Sequence, residues 1–365
     1  MTADTLGGVW SYAIELCTAL GAHGAEIALA TLGAPLSSAQ RLDLATLRHV
    51  QVYEGSCRLE WMPDPWASLA EGGEWLRSIE RQTAPDVIHL NHLVHADLDW
   101  QAPVVVVGHS CVYSWWAALR GGKPDESWLP YHARVTRSLR CADRLVAPSR
   151  AMLLALCRHY GPFRRTQVIA NARDPLSYGP AVKEPFVFCA GRLWDEAKNV
   201  EALRATAPLI SWPVIVAGAD AGPNGERCDL SHLTHLGSLS TSAVSRWMAR
   251  AAIYASPARY EPFGLGVLEA GLSGCALVLS NLDSQREIWE RAALYVTPGS
   301  AEELREALTD LITHPRALPI LGKRARARAE QFHPQRFGAE YLELYRALRA
   351  PKEAATCDSY CSITH

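Results

Sequence analysis

Short apolar, β-branched runs alternate with longer stretches of helical spacing along most of the chain. In the N-terminal half the runs are DVIHLNH (86–92), PVVVVGHS (103–110), ADRLVAPS (142–149) and TQVIANA (166–172). A second series comprises PFVFCAGR (185–192), PVIVAGA (213–219), AAIYASPA (251–258), CALVLSN (275–281) and ALYVTPG (293–299). Apolar strands separated by helical segments predict a parallel sheet covered on both faces. Two such series predict two doubly wound α/β domains. Between them, DPLSYGPAVKEP (174–185) is rich in proline and glycine, as a link between compact units should be. The segments 300–314, 315–332 and 334–349 then show helical spacing. The expected domains are 1–178 and 179–332, followed by a helix at 333–350 that returns to the first domain. The tail 351–365 has nothing to bury and is expected to be disordered. The chain opens with a strand end, the Gly7-Gly8 turn and an amphipathic helix. So few residues precede the turn that the first strand is either short or clipped.

Composition narrows the class without naming it. With 365 residues, 48% of them hydrophobic, the chain can bury two cores, and a net charge of -2 gives no global attraction to nucleic acid. No segment approaches the roughly 18 apolar residues of a spanning helix, and no basic stretch leads into an apolar run at the start. The expectation is a cytoplasmic protein. Its ten cysteines sit singly in apolar contexts, which suits reduced thiols. Only Cys357 and Cys361 lie close together, without histidines to complete a zinc pattern.

Candidate chemistry gathers in four places. In ARYEPFGLGVLEAGLSGCALVLSN (258–281), Glu261 lies in the loop after a strand and Glu269 in the first two turns of the next helix. Open α/β sheets bind ligands at that edge. GLGVLE is the dinucleotide fingerprint with Glu269 in place of its third glycine, and a carboxylate there opposes a pyrophosphate but can accept from sugar hydroxyls. The alternative is two surface glutamates near a helix N-terminus. In CAGRLWDEAKNVEAL (189–203), Arg192 and Lys198 fall in a strand-to-helix connection, suited to a diphosphate clamp completed by backbone N–H groups. The alternative is two solvated cations partnered by Asp195 and Glu196. His109 ends the run VVVVGHS, is expected to point into an interdomain cleft, and is followed by Trp115 and Trp116, whose flat faces suit sugar rings or the core. His92 and His95 lie nearby and are read as peripheral. Gly7 and Gly8 open the first helix and allow a ligand near the backbone, or simply make a tight turn. Asp97 and Asp99 form an Asp-x-Asp that reads as solvated, with no metal implied.

Together these stretches resemble the retaining family-4 glycosyltransferases of the GT-B fold, over nearly the whole chain. The likeness is carried by GGVW, VGHS, ADRLVAPSRAM, VIANARD, AGRLWDEAKN, YEPFGLGVLEAGLSGCALVLSN and REIW. The resemblance implies two Rossmann-like domains facing a central cleft. It implies that Arg192 and Lys198 clamp the diphosphate of a nucleotide-sugar donor, that Glu269 binds the ribose hydroxyls, and that Glu261 touches the donor sugar. The backbone of Phe263, Gly264 and Leu265, with Gly8, would lie against the donor, and His109 would stand near the reacting carbon. No metal or other cofactor is implied. The acceptor would be a glycan, a lipid-linked sugar or a small molecule, with peripheral membrane contact left open. Two departures stand out: Lys198-Asn199 where the family has Lys-Gly, and Asn171-Ala172-Arg173 where it often has Asn-Gly. A nucleotide-sugar-binding protein with a degenerate GT-B fold, or an epimerase or phosphorylase on the same scaffold, are the alternatives.

Overall fold

The computed structural model describes residues 1–222, 225 and 227–350, so the expectations for the tail 351–365 and for Cys357 and Cys361 lie outside the described residues. The chain divides into two compact units. Unit one contains Met1–Ala117, Gly122–Ala170 and residues 334–350, and unit two contains Ala118–Gly121 and the described part of Asn171–His333. The segment 174–185 thus belongs wholly to unit two. It is docked there by Ala181 N–H on the Ala249 carbonyl (3.0 Å) and by Ser245 Oγ on the Ser177 carbonyl (2.9 Å).

Unit one has seven strands: β1 (Thr2–Asp4), β2 (Ile27–Leu32), β3 (Val50–Glu54), β4 (Ile88–Leu90), β5 (Val104–Val107), β6 (Arg144–Ala147) and β7 (Thr166–Val168). They form a parallel sheet β1-β2-β3 and a parallel sheet β4-β5-β6-β7. No ladder joins β1 to β4. Instead Asn91, just past β4, bonds Thr2 twice, through its backbone N–H to Oγ1 (2.9 Å) and through Nδ2 to the carbonyl (2.7 Å). The sequence pattern overlooks β2 and β3, and β1 is only three residues long. The helix Pro334–Arg349 packs on the first helix, Gly8–Gly21, where Tyr12 donates to the Tyr341 hydroxyl at 2.6 Å.

Unit two has six: β8 (Glu184–Ala190), β9 (Val214–Ala217), β10 (Thr234–His235), β11 (Ala251–Ser256), β12 (Ala276–Ser280) and β13 (Leu294–Val296). All are parallel, in the order β10-β9-β8-β11-β12-β13. The order reverses between β8 and β11, and in open parallel sheets the carboxyl side of such a reversal is where ligands bind. Val187, Ile253 and Val278 are fully buried in the core beneath it. None of the eight cysteines within the described residues forms a disulfide with another described residue. Among the described residues no helix is long and apolar enough to cross a membrane.

The ends of β8 and β9 touch backbone to backbone. Gly218 has φ of +138°, and a Cβ there would lie 1.7 Å from the Gly191 carbonyl oxygen. Gly218→Ala is therefore expected to destabilise the protein by about 3 kcal/mol or more through strain and overpacking. Urea unfolding checks this, and a loss below about 1 kcal/mol would contradict the close approach.

Candidate active site

Arg192 and Lys198 both leave the carboxyl end of β8, and Glu261 leaves the end of β11, so the three flank the point where strand order reverses. Lys198 Nζ donates to Glu261 Oε2 at 2.6 Å, with side chains 25% and 14% exposed. One of the three ammonium donors is thereby used on a carboxylate from the neighbouring strand. Arg192 is half exposed, donates to Asp195 at 2.8 Å and lies over the Trp194 ring. Glu196 instead pairs with Arg259 at 3.3 Å. The expected partnering by Asp195 and Glu196 thus holds for Arg192 and not for Lys198.

The backbone of this loop behaves differently from the expected cradle. Asp195 is buried and accepts Ala197 N–H on Oδ1 (3.0 Å) and Lys198 N–H on its carbonyl (2.8 Å), while Asn199 N–H goes to the Glu196 carbonyl (3.1 Å). These amides are consumed inside a single 3-10 turn, Glu196–Lys198, before the helix Val200–Thr206 begins. Asn199 itself has φ of +53° and ψ of +45°, the left-handed region that glycine favours and asparagine tolerates. Its side chain donates to the Pro257 carbonyl at 2.9 Å, so the departure from Lys-Gly preserves the turn.

The open amides lie past the end of the neighbouring strand, β11. Gly264, with φ of +92°, leads into the helix Leu265–Leu272, whose first turn has no side-chain cap and no acidic residue. The helix starts two residues earlier than the spacing from Val267 suggests. Phe263 is buried with its ring edge-on to Phe332 (5.8 Å), so only its backbone can meet a ligand. Two residues of the helix Asp283–Trp289 hold this loop: Ser284 Oγ donates to the Glu261 carbonyl (2.5 Å) and Gln285 Nε2 to the Phe263 carbonyl (3.0 Å). Glu269, in the second turn of Leu265–Leu272, accepts from Arg173 Nε at 2.8 Å, with side chains 13% and 7% exposed. Arrays of this kind, cations on one strand end and an uncapped helix N-terminus on the next, suit an anion with polar groups at both ends.

In unit one, Gly8 is the first residue of its helix, after an N-cap at Gly7, and both follow β1. His109 follows β5, with its ring 4.4 Å from Tyr12 in an edge-to-face arrangement. Because Asn91 Nδ2 is used on Thr2, its Oδ1 is the acceptor that faces Nε2 of both His109 (2.9 Å) and His89 (3.1 Å). Thr2 Oγ1 in turn donates to His92 Nδ1 (3.1 Å), His92 Nε2 to His95 Nδ1 (2.8 Å), and His95 Nε2 to the Leu69 carbonyl (2.7 Å). The carbonyl at the end of this chain puts a proton on His95 Nε2, and neutral imidazoles protonated at Nε2 satisfy every link. Burial pushes His89 and His109 down to about 3 and lowers His92 and His95 as well. His92 and His95 are therefore buried, not peripheral: the apolar letters of HLVHA keep them inside. Trp115 and Trp116 are both half-buried. Asp97 pairs with Arg137, and Asp99 pairs with Arg77 at 3.3 Å.

Sequence reasoning missed Arg173, Ser284, Gln285 and Asn91. The first three are polar residues contributed by segments distant in the chain, and neither periodicity nor spacing marks them. Asn91 carried a visible signal, an asparagine between two histidines at a strand end.

Comparison with known proteins accords with this geometry. Glycosyltransferase Family 4 matches residues 6–175, and Glycosyl transferases group 1 matches residues 184–314. The D-inositol 3-phosphate glycosyltransferase of Arthrobacter sp. (strain FB24) is 27% identical over 389 residues, covering 93% of this chain and 90% of its own length. Among solved structures, sucrose-phosphate synthase from Thermosynechococcus elongatus superposes with a TM-score of 0.77 at 18% identity, covering 95% of each chain. Anabaena HepE in complex with UDP-glucose superposes with a TM-score of 0.76 at 19% identity, covering 95% of this chain and 100% of its own. Two Rossmann-like parallel-sheet units of this topology have the GT-B fold, and the matched family models make the chain a glycosyltransferase. Within that class, the chain belongs to family 4, the group 1 glycosyl transferases.

The histidine chain has a measurable cost in acid. The unfolded value of about 6.5 lies above the folded one, so as pH falls the unfolded chain takes up protons first. The stability contributed by neutral His89 is fully present above pH 6.5 and is lost as pH falls toward about 3, by up to about 1.4 kcal/mol per pH unit, and His92 and His95, lowered by burial, add losses of the same sign below pH 6.5. Urea unfolding at pH 7.5 and 5 is expected to show a drop that His92→Gln lessens. A flat profile over this range would contradict the neutral chain.

Proposed function

We propose that this glycosyltransferase transfers a hexosyl unit from a nucleotide diphosphate sugar to an acceptor hydroxyl, with retention of anomeric configuration and without a metal. The observation that carries this reading is the Lys198–Glu261 pair at the β8/β11 switch, beside the uncapped helix that begins at Leu265. HepE, which is similar in fold, is described in complex with UDP-glucose, which supports a nucleotide sugar as donor.

In this reading Lys198 and Arg192 hold the diphosphate, assisted by amides at Phe263, Gly264 and Leu265, and Glu269 accepts from the ribose. Glu261 bonds a hydroxyl of the donor sugar and orients Lys198. As the bond from C1 to the phosphate oxygen breaks, charge grows on the leaving diphosphate, where fixed cations and dipoles stabilise it without reorganisation. The acceptor oxygen bonds C1 on the same face, and its proton passes to the leaving phosphate. The roles of His109, near the reacting carbon, and Gly8, against the donor, rest on family resemblance alone. The cations take the part that a divalent ion plays in other transferases. The acceptor is a glycan, a lipid-linked sugar or a small molecule, and the Arthrobacter relative's name makes an inositol phosphate the first to try.

A thermal-shift screen of UDP, GDP, ADP and their sugars identifies the donor, because a ligand of the folded state raises Tm. Lys198→Ala and Glu261→Ala are each expected to lower kcat by about 10²–10³-fold with unchanged circular dichroism. Transfer should persist in EDTA, and NMR of the product should show the donor's anomeric configuration. Donor binding without nucleoside diphosphate release across an acceptor panel would favour a binding protein instead.

A further inference from the structure

Arg173 reaches the candidate site from outside the two strand-end loops. Its backbone N–H is fixed on the Phe332 carbonyl at 3.1 Å, and Phe332 packs on Phe263. Its Nε meets Oε1 of Glu269 at 2.8 Å, in surroundings that leave the arginine 7% exposed. Burying two charges costs desolvation energy that their attraction only partly offsets, and an apolar pair of similar size often serves stability equally well. What an apolar pair cannot do is orient a carboxylate. With Oε1 engaged, the group cannot spin about its last torsion, and Oε2 makes no hydrogen bond to any described residue. An ionised carboxylate offers only acceptors, so a single directed acceptor remains for a hydroxyl.

We propose that Arg173 is a positioning residue of the donor site: by anchoring Oε1 of Glu269 it presents Oε2 to a ribose hydroxyl, and so makes the site selective for ribonucleotides. This rests on the role given to Glu269 above. Preorganised acceptors of this kind discriminate strongly because a partner lacking the hydroxyl leaves a desolvated carboxylate oxygen unpaired.

The test is calorimetry with whichever of UDP, GDP and ADP gives the largest thermal shift, beside its 2′-deoxy and 3′-deoxy counterparts, on the full chain. Wild type is expected to prefer the ribose form over at least one deoxy form by about 10- to 100-fold. Glu269→Ala should reduce the ratio to about twofold or less, Arg173→Met to about threefold or less, and Arg173→Lys should recover part of it. The ratio is measured on folded protein, so lost stability does not mimic the effect. Should Arg173→Met fail to fold, Arg173→Gln carries the comparison with the same expected ratio. A wild-type ratio in Arg173→Met or Arg173→Gln, with both affinities lowered equally, would reduce Arg173 to a structural clasp and overturn the inference. A wild-type protein indifferent to the ribose hydroxyls, or an unchanged ratio in Glu269→Ala, would instead remove the role of Glu269 itself.

Discussion

An ammonium from the end of one strand and a carboxylate from the end of its neighbour meet at the place where the second sheet reverses its order. Lys198 and Glu261 owe their encounter to the parallel pairing of β8 with β11, which brings two loops separated by some sixty residues of chain to one edge. Everything placed around them serves to keep that meeting fixed. Asp195 folds the first loop on itself, Ser284 and Gln285 pin the second, and the buried Phe263–Phe332 contact closes the floor. Charge and hydrogen-bonding capacity are thus distributed by strand: cations from β8, acceptors and open amides from β11 and the helix after it.

Much of this was legible in the letters because strand ends are legible. Apolar runs show where β8 and β11 stop, glycine and proline show where the loops turn, and ionisable residues just past a parallel strand lie by necessity at the ligand edge. The positions of Glu261, Arg192 and Lys198 past their strands, and of Glu269 in the helix that follows, were legible by that reasoning, with the family resemblance beside it. Which cation would meet which anion did not, since Lys198 had nearer acids in sequence than the one it bonds. The consumption of the loop's amides by Asp195 was equally hidden, because a cap and a solvated acid are written with the same letter. Arg173 was visible only as a departure from a pattern, and its partner lies 96 positions away.

In the first unit, chain pattern failed for a different reason. β3, VQVYE, alternates apolar and polar positions and makes no run, β2, IALATL, is an apolar run that the reading passed over, and β1 is too short to register. The joint between the two sheets is made by one asparagine and one threonine instead of a ladder, and the same asparagine orients two histidines. One polar residue therefore holds both the architecture of the sheet edge and the protonation of the imidazole that follows β5. Structural and chemical requirements converge there on a single side chain.

Asn199 bears on how the loops that leave β8 and β11 are held together. A glycine in that left-handed position would leave the loop supple, free to breathe with each ligand that comes and goes. The asparagine amide instead moors the β8 loop to Pro257 just past the end of β11, so a side-chain tether that glycine could not supply links the two strand ends.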